Sequence, residues 1–330
     1  MRLPRILHRH TVIFILFFAI LDNEAYFCNK ICCLSTAVSY AVLNVMLNKI
    51  KDIATTAGSS LAALLKVALM SKRPSPRGDN RGESLVVMGN GPSLRETIDN
   101  HRKLLDQNRL MSVNFAPLTQ EFFSLKPGFH VLADGLFFEK TMKGNVEEMW
   151  NALKRVEWGM VLYVPAKYRN SVLKKELPEN LKVKYFNMTP ASGWGWLTNL
   201  LYRSGLAMPR PRNVLVPAIM NGIREGFERI ILVGADHSWS KTLWVTDNNI
   251  VVSVQPHFYK DNEKERERVE SLYKGIRLYQ IYESFAIAFR SYFALSDYAQ
   301  RRGVEIINAT PGSFIDAFRR SQPEKLIRCD

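Results

Sequence analysis

The sequence predicts an α/β fold: a Rossmann-like, mainly parallel sheet flanked by helices, with a lid segment and N-terminal helices. Short β-branched runs alternate with helical stretches from residue 83 onward, which is typical of parallel strands joined by crossover helices. The first run, Ser84–Met88, leads directly into a glycine-rich turn and a helical stretch. Hydrophobic residues make up 47% of the chain, enough to bury the core that such a sheet requires.

The elements follow from these runs in order. Pro217 falls in the first turn of one expected helix, where a missing backbone N–H costs little. After the first run, strands are expected at 110–114, 128–133, 159–164, 229–233 and 305–308, and helices at 146–155, 214–226 and 262–302.

Composition divides the chain into three parts. Residues 1–70 are expected to form membrane-associated or packing helices. Residues 71–82 (SKRPSPRGDNRG) collect proline, glycine and charge without apolar periodicity, so we expect a linker. Residues 83–330 form the predicted Rossmann-like catalytic domain, with a lid at about 239–260 that carries aromatic residues but no strong periodicity.

The N-terminal part favours a membrane surface. Basic residues precede the apolar run 11–21, which is about half of the ~20 residues that span a bilayer. A second stretch, 33–70, is rich in Ala, Leu and Val. We interpret it as one or two amphipathic helices on the cytoplasmic face of the inner membrane, peripheral rather than spanning. Alternatively, these helices cover the core of the domain, or translation starts at a later methionine.

The formal charge of +14 favours an anionic partner, such as a nucleotide sugar or an acidic membrane surface. The sequence contains no long basic run and no zinc-finger spacing, so nucleic acid is not expected. Three of the four cysteines crowd into residues 28–33, which indicates a reducing compartment rather than a disulfide framework.

The turn after the first strand is the first candidate site. Glycines let a backbone approach a ligand closely, and free N–H groups at the following helix start favour an anion such as a phosphate. Ser93 and Glu96 have the spacing of a capping box. An ordinary tight turn between a strand and a helix is the alternative. The residues of this turn are Gly89, Asn90, Gly91, Pro92 and Ser93.

Later strand ends supply further candidates, because ligands of parallel sheets bind beyond the carboxyl ends of the strands. Asn114 and Asp134 suit hydrogen bonds to a base or ribose, and each equally suits a turn or a helix cap. Asp236 and His237 suit acid–base or ligand-binding work, with Asp236 as a buried cap as the alternative. The predicted set outside the glycine turn is Asn114, Ala133, Asp134, Gly135, Gly234, Asp236 and His237.

The lid contains the candidate general base. A histidine with an ordinary pKa near ~6.5 accepts a proton at neutral pH, which makes His257 the candidate. The alternative is a histidine that simply packs among the aromatic side chains around it.

Six motifs occur in one order: VVMGNGPSL, SVNF, HVLADGLFFEK, ILVGADHSW, PHFY and INATPGSFIDAF. Over residues 84–318 this set resembles the bacterial sialyltransferases of glycosyltransferase family 42 and the related DUF115 group, which includes 6-hydroxymethylpterin diphosphokinase (MptE-like) proteins. The resemblance implies inverting transfer of a sugar from a CMP-activated donor, with no metal or other cofactor. It implies nucleotide contacts at Asn90, Gly91, Ser93, Asn114 and residues 133–135.

The resemblance also implies roles in the lid. A lid histidine, matched by His257, would deprotonate the acceptor hydroxyl. That family steadies the departing phosphate with tyrosines; Ser238 and Trp244 stand near their places here, and Tyr259 is the expected substitute.

The resulting hypothesis is a membrane-associated glycosyltransferase in surface polysaccharide synthesis, with a nucleotide-sugar donor and a glycan acceptor as partners. An MptE-like diphosphokinase is one alternative; it would need ATP and magnesium, with Asp134 and Asp236 as candidate ligands. A noncatalytic nucleotide-binding scaffold in a polysaccharide assembly system is another.

Overall fold

The computed structural model describes residues 24–139, 145–253 and 275–327. It confirms an α/β fold with a mainly parallel central sheet flanked by helices. The strands of the central sheet are β1 Ser84–Met88, β2 Arg109–Val113, β3 Phe129–Val131, β4 Met160–Pro165, β5 Leu181–Phe186, β6 Arg229–Val233, β9 Glu305–Asn308 and β10 Arg319–Arg320, while β7 Leu243–Val245 and β8 Val251–Ser253 form a separate hairpin. Within the described residues the central sheet has these eight strands in the order β10-β9-β6-β1-β2-β3-β4-β5, and all neighbours are parallel.

Helices connect most of these strands. The α-helices are α1 Glu24–Met70, α2 Ser93–Asn100, α3 Arg102–Asp106, α4 Gln120–Leu125, α5 Asn145–Lys154, α6 Arg169–Val172, α7 Gly195–Ser204, α8 Leu215–Arg224 and α9 Leu278–Arg301. Apart from the longest predicted helix, the strand and helix predictions are confirmed to within a few residues at each end. The sequence predicts that helix over 262–302; residues 262–274 lie outside the described residues, and the described helix begins at Leu278.

The sheet is buried on both faces, which explains why its strands are nearly continuous apolar runs. In β1, Leu85 and Val87 pack into a core shared with α7, α8 and α9. Val86 and Met88 point to the opposite face and pack with residues of α2 and α3. This alternation follows from the two-residue repeat of a strand.

The N-terminal helix α1 is continuous over Glu24–Met70, where the sequence predicted one or two helices. The chain consists of two compact units, Met1–Thr56 and Ala57–Asp330. In the second unit, Ser60 and Ala63 are buried, and the Ser60 hydroxyl accepts a hydrogen bond from the Trp194 backbone N–H at 2.9 Å. Among the described residues, one stretch of helix, Leu43–Met70, is long and apolar enough to cross a membrane.

The segment 71–82 is hydrogen-bonded along its length to the rest of the second unit. Lys72 N–H donates to Asn187 Oδ1 at 2.8 Å, and Ser75 N–H donates to the Tyr185 carbonyl at 2.9 Å. Asn80 N–H donates to the Glu225 carbonyl at 3.0 Å. The division of the chain at 71–82 stays a prediction.

The described part of the predicted lid has regular structure. A 3₁₀ turn, Trp239–Thr242, leads into an antiparallel hairpin of β7 (Leu243–Val245) and β8 (Val251–Ser253). His257 and Tyr259 lie outside the described residues.

Candidate functional site

The sheet reverses its strand order between β1 and β6. From β1 the chain builds outward through β2 to β5, and it then crosses back to place β6 on the other side of β1. The helices that follow these two strands, α2 and α9, pack on opposite faces of the sheet, and ligands of parallel sheets bind beyond the carboxyl ends of the strands at such a point. We call the carboxyl edge of β1, β2 and β6, where Asn90, Asn114 and Asp236 lie, the switch-point crevice.

The two glycines of the loop at 89–93 hold it against the loop at 234–238. Gly89 N–H donates to the Val233 carbonyl at 2.8 Å, and Gly91 N–H donates to the Gly234 carbonyl at 2.9 Å. A Cβ atom on Gly89 would lie 2.3 Å from the Gly234 carbonyl oxygen, closer than any real contact permits. Here the glycines are needed for contact between two stretches of the chain's own backbone.

The predicted capping box is wrong. Helix α2 begins at Ser93 with Pro92 at its N-cap, and no side chain caps it in that way. The Ser93 hydroxyl instead donates to Asp236 Oδ2 at 2.7 Å, and Ser93 N–H donates to Asp236 Oδ1 at 3.3 Å. Asp236 thereby accepts the Ser93 N–H that Glu96 would accept in a capping box.

Asp236 therefore occupies the start of α2, where the sequence predicts a nucleotide phosphate. A negative charge there is favoured by the helix dipole. Burial raises the pKa of the Asp236 carboxyl, and the hydrogen bonds from Ser93 oppose that shift. The sequence predicts that Asp236 either does acid–base or ligand-binding work or caps the turn that follows it; the structure places its carboxylate on the distant start of α2 instead, and a role in ligand binding stays a prediction. That Gly89, Gly91, Pro92 and Ser93 contact a nucleotide stays a prediction.

Two asparagines at the ends of adjacent strands carry unpartnered acceptors. Asn90 Nδ2 contacts the Val113 carbonyl at 3.4 Å, while Asn114 adopts a left-handed backbone with φ of +50°. Within the described residues, the Oδ1 atoms of both side chains are buried and have no hydrogen-bond partner. Buried amide oxygens in proteins are almost always hydrogen-bonded, so a ligand that donates hydrogen bonds fits this place.

Asp134 and its neighbours make local contacts. The Asp134 carboxylate accepts a hydrogen bond from Leu136 N–H at 3.0 Å and caps the 3₁₀ turn Gly135–Phe138. Gly135 lies against Tyr168, whose hydroxyl would be 2.8 Å from an added Cβ, and Ala133 is buried. In the part of the chain that the structure describes, no group of three or more acidic, histidine or cysteine side chains forms a metal site.

His237 is packed among aromatic side chains. Its Nε2 lies 2.6 Å from the Tyr292 hydroxyl, which donates to Asn213 Oδ1 at 2.9 Å. Its ring centroid is 4.1 Å from that of Trp239. Burial lowers the pKa of His237 to about 3. The ring is therefore neutral near pH 7. Because the Tyr292 hydroxyl donates its proton to Asn213, His237 Nε2–H donates to the Tyr292 oxygen.

The loop after β9 braces the loop after β6, a role that the sequence reasoning missed. Ala235 N–H donates to the Thr310 hydroxyl oxygen at 3.0 Å, and the Ser313 hydroxyl donates to the Ala235 carbonyl at 2.6 Å. Asn308 Nδ2 in turn donates to Ser313 Oγ at 2.9 Å. The sequence motif that contains Thr310 and Ser313 does not indicate which loop these two side chains contact.

Comparison with known proteins gives a distant likeness among solved structures. No family model matches the chain, and no curated protein matches it. Among solved structures, the MAf glycosyltransferase from Magnetospirillum magneticum AMB-1 is similar over 82% of this chain, with a TM-score of 0.45 and 11% sequence identity. The match covers 38% of that protein, so this chain spans well under half of its length.

Proposed function

We propose that the protein is a glycosyltransferase that binds a CMP-type sugar donor in the switch-point crevice. The observation that carries the proposal is the pair of unpartnered buried oxygens of Asn90 and Asn114, at the carboxyl ends of two adjacent strands. A buried acceptor without a partner costs roughly 1–3 kcal/mol. The amino group of cytosine and the hydroxyls of ribose are donors that remove this cost.

The donor's phosphate is expected away from the start of α2. Asp236 already supplies the negative charge there, and a phosphate beside that carboxylate would be repelled. We propose that Tyr259 steadies the departing phosphate, as the family resemblance implies.

The proposed reaction needs one base. His257 takes the proton of an acceptor hydroxyl while that oxygen attacks the anomeric carbon of the sugar. The bond from that carbon to the phosphate oxygen breaks, and CMP leaves with its electron pair. Attack opposite to the leaving group inverts the anomeric carbon, and no metal takes part in the step.

Calorimetric titration with CMP, CDP and ATP, each with and without magnesium, tests the donor class. We expect CMP to bind without magnesium. Asn114→Gly should weaken CMP binding roughly tenfold, because it removes one acceptor and keeps a residue suited to positive φ. Magnesium-dependent ATP binding would favour the diphosphokinase, and nucleotide binding without turnover would favour the scaffold.

Turnover of a CMP-sugar donor tests the base. We expect His257→Ala to reduce turnover by at least about a hundredfold, the usual contribution of general base catalysis. Full turnover in that variant would rule out His257 as the base. Tyr259→Phe is the matched variant for the phosphate role, with a smaller loss.

We also propose that the protein acts at a membrane surface, in surface polysaccharide synthesis on the cytoplasmic side. In the second unit, Leu61, Leu64 and Leu65 of α1 are exposed apolar side chains. Such side chains suit burial in a lipid interface. Flotation with anionic vesicles tests this: a Leu61, Leu64 and Leu65 triple change to Gln should reduce vesicle binding, and equal binding would argue against the membrane role.

A further inference from the structure

A cavity lies mainly at the opposite edge of the sheet, where β1, β6 and β9 begin. It has a volume of about 450 Å³ and is bounded by the segment before β1, the turn from α8 into β6 and the carboxyl ends of α7 and α9. Gly226, Phe227 and Glu228, which directly precede β6, form part of its wall. We call it the arginine cavity. Its size is within the range of small-molecule sites, roughly 300–1,000 Å³.

The charge of this cavity is strongly positive. Two acidic side chains, Asp79 and Glu228, line it, and Asp79 is paired with Arg81 at 2.7 Å. Nearby Glu225 is engaged by Lys184 at 2.6 Å and by the Tyr163 hydroxyl. Against these acids stand five arginines: Arg77, Arg81, Arg203, Arg224 and Arg302.

Tyr298 lines the same cavity, and its hydroxyl feels the charge of four of these arginines. Burial raises the pKa of the Tyr298 hydroxyl, and the positive charges of Arg302, Arg77, Arg224 and Arg203 all oppose that shift. Like charges repel, and the pKa of Arg224 is lowered by burial and by the charge of Arg77. A bound anion would relieve this repulsion.

Buried donors without partners also line the cavity. Arg224 Nη2 donates to the Ser75 carbonyl at 2.8 Å, but within the described residues its buried Nη1 has no partner. Asn221 is 2% exposed, and its Nδ2 likewise has no partner there. Gly205 makes room for the guanidinium, since a Cβ would lie 2.5 Å from Arg224 Nη1. Both unpartnered groups donate hydrogen bonds and need an acceptor.

We propose that the arginine cavity binds a phosphate group of a small organic phosphate or diphosphate, at a site separate from the switch-point crevice. Guanidinium groups match phosphate oxygens in geometry and hold them with paired, charge-assisted hydrogen bonds. Arg224 and Asn221 supply the buried donors, and the exposed Arg77 and Arg302 supply further charge. A phosphorylated lipid headgroup presents the same chemistry, so the experiment must separate the two sources.

Calorimetric titration of the full chain with pyrophosphate tests the proposal. The unmodified protein should bind, and Arg224→Gln should bind roughly tenfold more weakly. Arg77→Gln and Arg302→Gln alter exposed side chains, so they test the site even if Arg224→Gln fails to fold; the double variant should also lose roughly tenfold. Arg155→Gln is the matched control, because the Arg155 guanidinium lies over Phe123, away from the cavity. This variant should bind pyrophosphate with the affinity of the unmodified protein.

Vesicles with and without phosphatidate form the second arm. Binding of pyrophosphate identifies a soluble ligand, and binding of phosphatidate vesicles alone identifies a lipid headgroup. Either result supports phosphate recognition if the Arg77 and Arg302 double variant binds the same probe more weakly. The proposal is overturned if neither probe binds, or if the double variant binds as tightly as the unmodified protein. Cytidine carries no phosphate, so its titration tests the crevice independently of either result.

Discussion

Two pairs of unpartnered buried polar atoms, at opposite edges of the sheet, differ in kind. At the switch-point crevice, the chain satisfies backbone donors itself through Asp236, and buried acceptors remain on Asn90 and Asn114. At the arginine cavity, the unpartnered groups are the donors of Arg224 and Asn221. Acceptors on the protein pair with donors on a ligand, which suits a nucleoside at the first edge, and donors on the protein pair with acceptors, which suits an anion at the second edge.

This difference shows that a glycine-rich turn before a helix does not by itself make a phosphate site. The turn at 89–93 has the glycines and the helix start, yet a carboxylate of the same chain lies on that helix start. The strongly positive cavity instead lies near 74–81, a segment that the sequence indicated only as a linker.

Glycine substitutions should give the largest effect and should separate the two edges. Gly89→Ala pushes a Cβ into the Gly234 backbone, so we expect a loss of about 3 kcal/mol or more in the free energy of unfolding. Gly205→Ala meets the end of the flexible Arg224 side chain at a positive φ and should cost roughly 1 kcal/mol. Urea unfolding measures both.

Gly159→Ala is the control for this pair, because an added Cβ has no atom within 4 Å. It should leave stability nearly unchanged. Equal costs for Gly89→Ala and Gly159→Ala would show that the two loops are not in backbone contact.

Acid should lower the free energy of unfolding, because two buried histidines resist protonation in the folded protein. Burial lowers the pKa of His130 and of His237 to about 3, whereas an unfolded histidine titrates near ~6.5. The unfolded state thus binds more protons between these values, and the free energy of unfolding falls as the pH falls through that window. At pH 5 each histidine should cost about 2 kcal/mol relative to neutral pH.

His130→Phe isolates one of these contributions. The ring lies beside Phe122, with centroids 5.8 Å apart, so an aromatic replacement keeps the packing. Unfolding measured at pH 7.5 and pH 5 should show a pH dependence smaller by about 2 kcal/mol in this variant. An unchanged dependence would mean that His130 is not neutral in the folded protein.

Asp236 offers a smaller and sharper test of the crevice. Asp236→Ala leaves the Ser93 hydroxyl and N–H without their acceptor and should cost about 1–2 kcal/mol. Asp236→Asn keeps an acceptor and should cost less. If a nucleotide phosphate belongs at the start of α2 after all, both variants would bind CMP more tightly than the unmodified protein.

The parts of the fold that depend on local pattern were predictable. The apolar run at 229–233 is strand β6 to the residue, and the run at 305–308 is strand β9. The alternation of strands and helices sufficed for the parallel sheet. Strand ends were less certain: the strand predicted at 128–133 is Phe129–Val131, because pairing with neighbours, rather than apolar character, sets where it stops.

The candidate site was only partly predictable, because its contacts join residues far apart in the chain. Asn90 and Asn114 were identified from their positions after strands. The bond between Ser93 and Asp236 spans 143 residues, and no local spacing signals it. The local rule for Ser93 and Glu96 predicted a capping box, and the distant carboxylate prevailed. For the same reason no sequence pattern signalled the arginine cavity.

Calorimetric titration with cytidine, which has no phosphate, tests the central claim most directly. Cytidine should bind the unmodified protein, bind Asn114→Gly roughly tenfold more weakly, and bind Arg224→Gln with unchanged affinity. Equal affinity in the unmodified protein and Asn114→Gly, or an equal loss in Arg224→Gln, would contradict the assignment of a nucleoside to the edge of the sheet that carries the unpartnered acceptors.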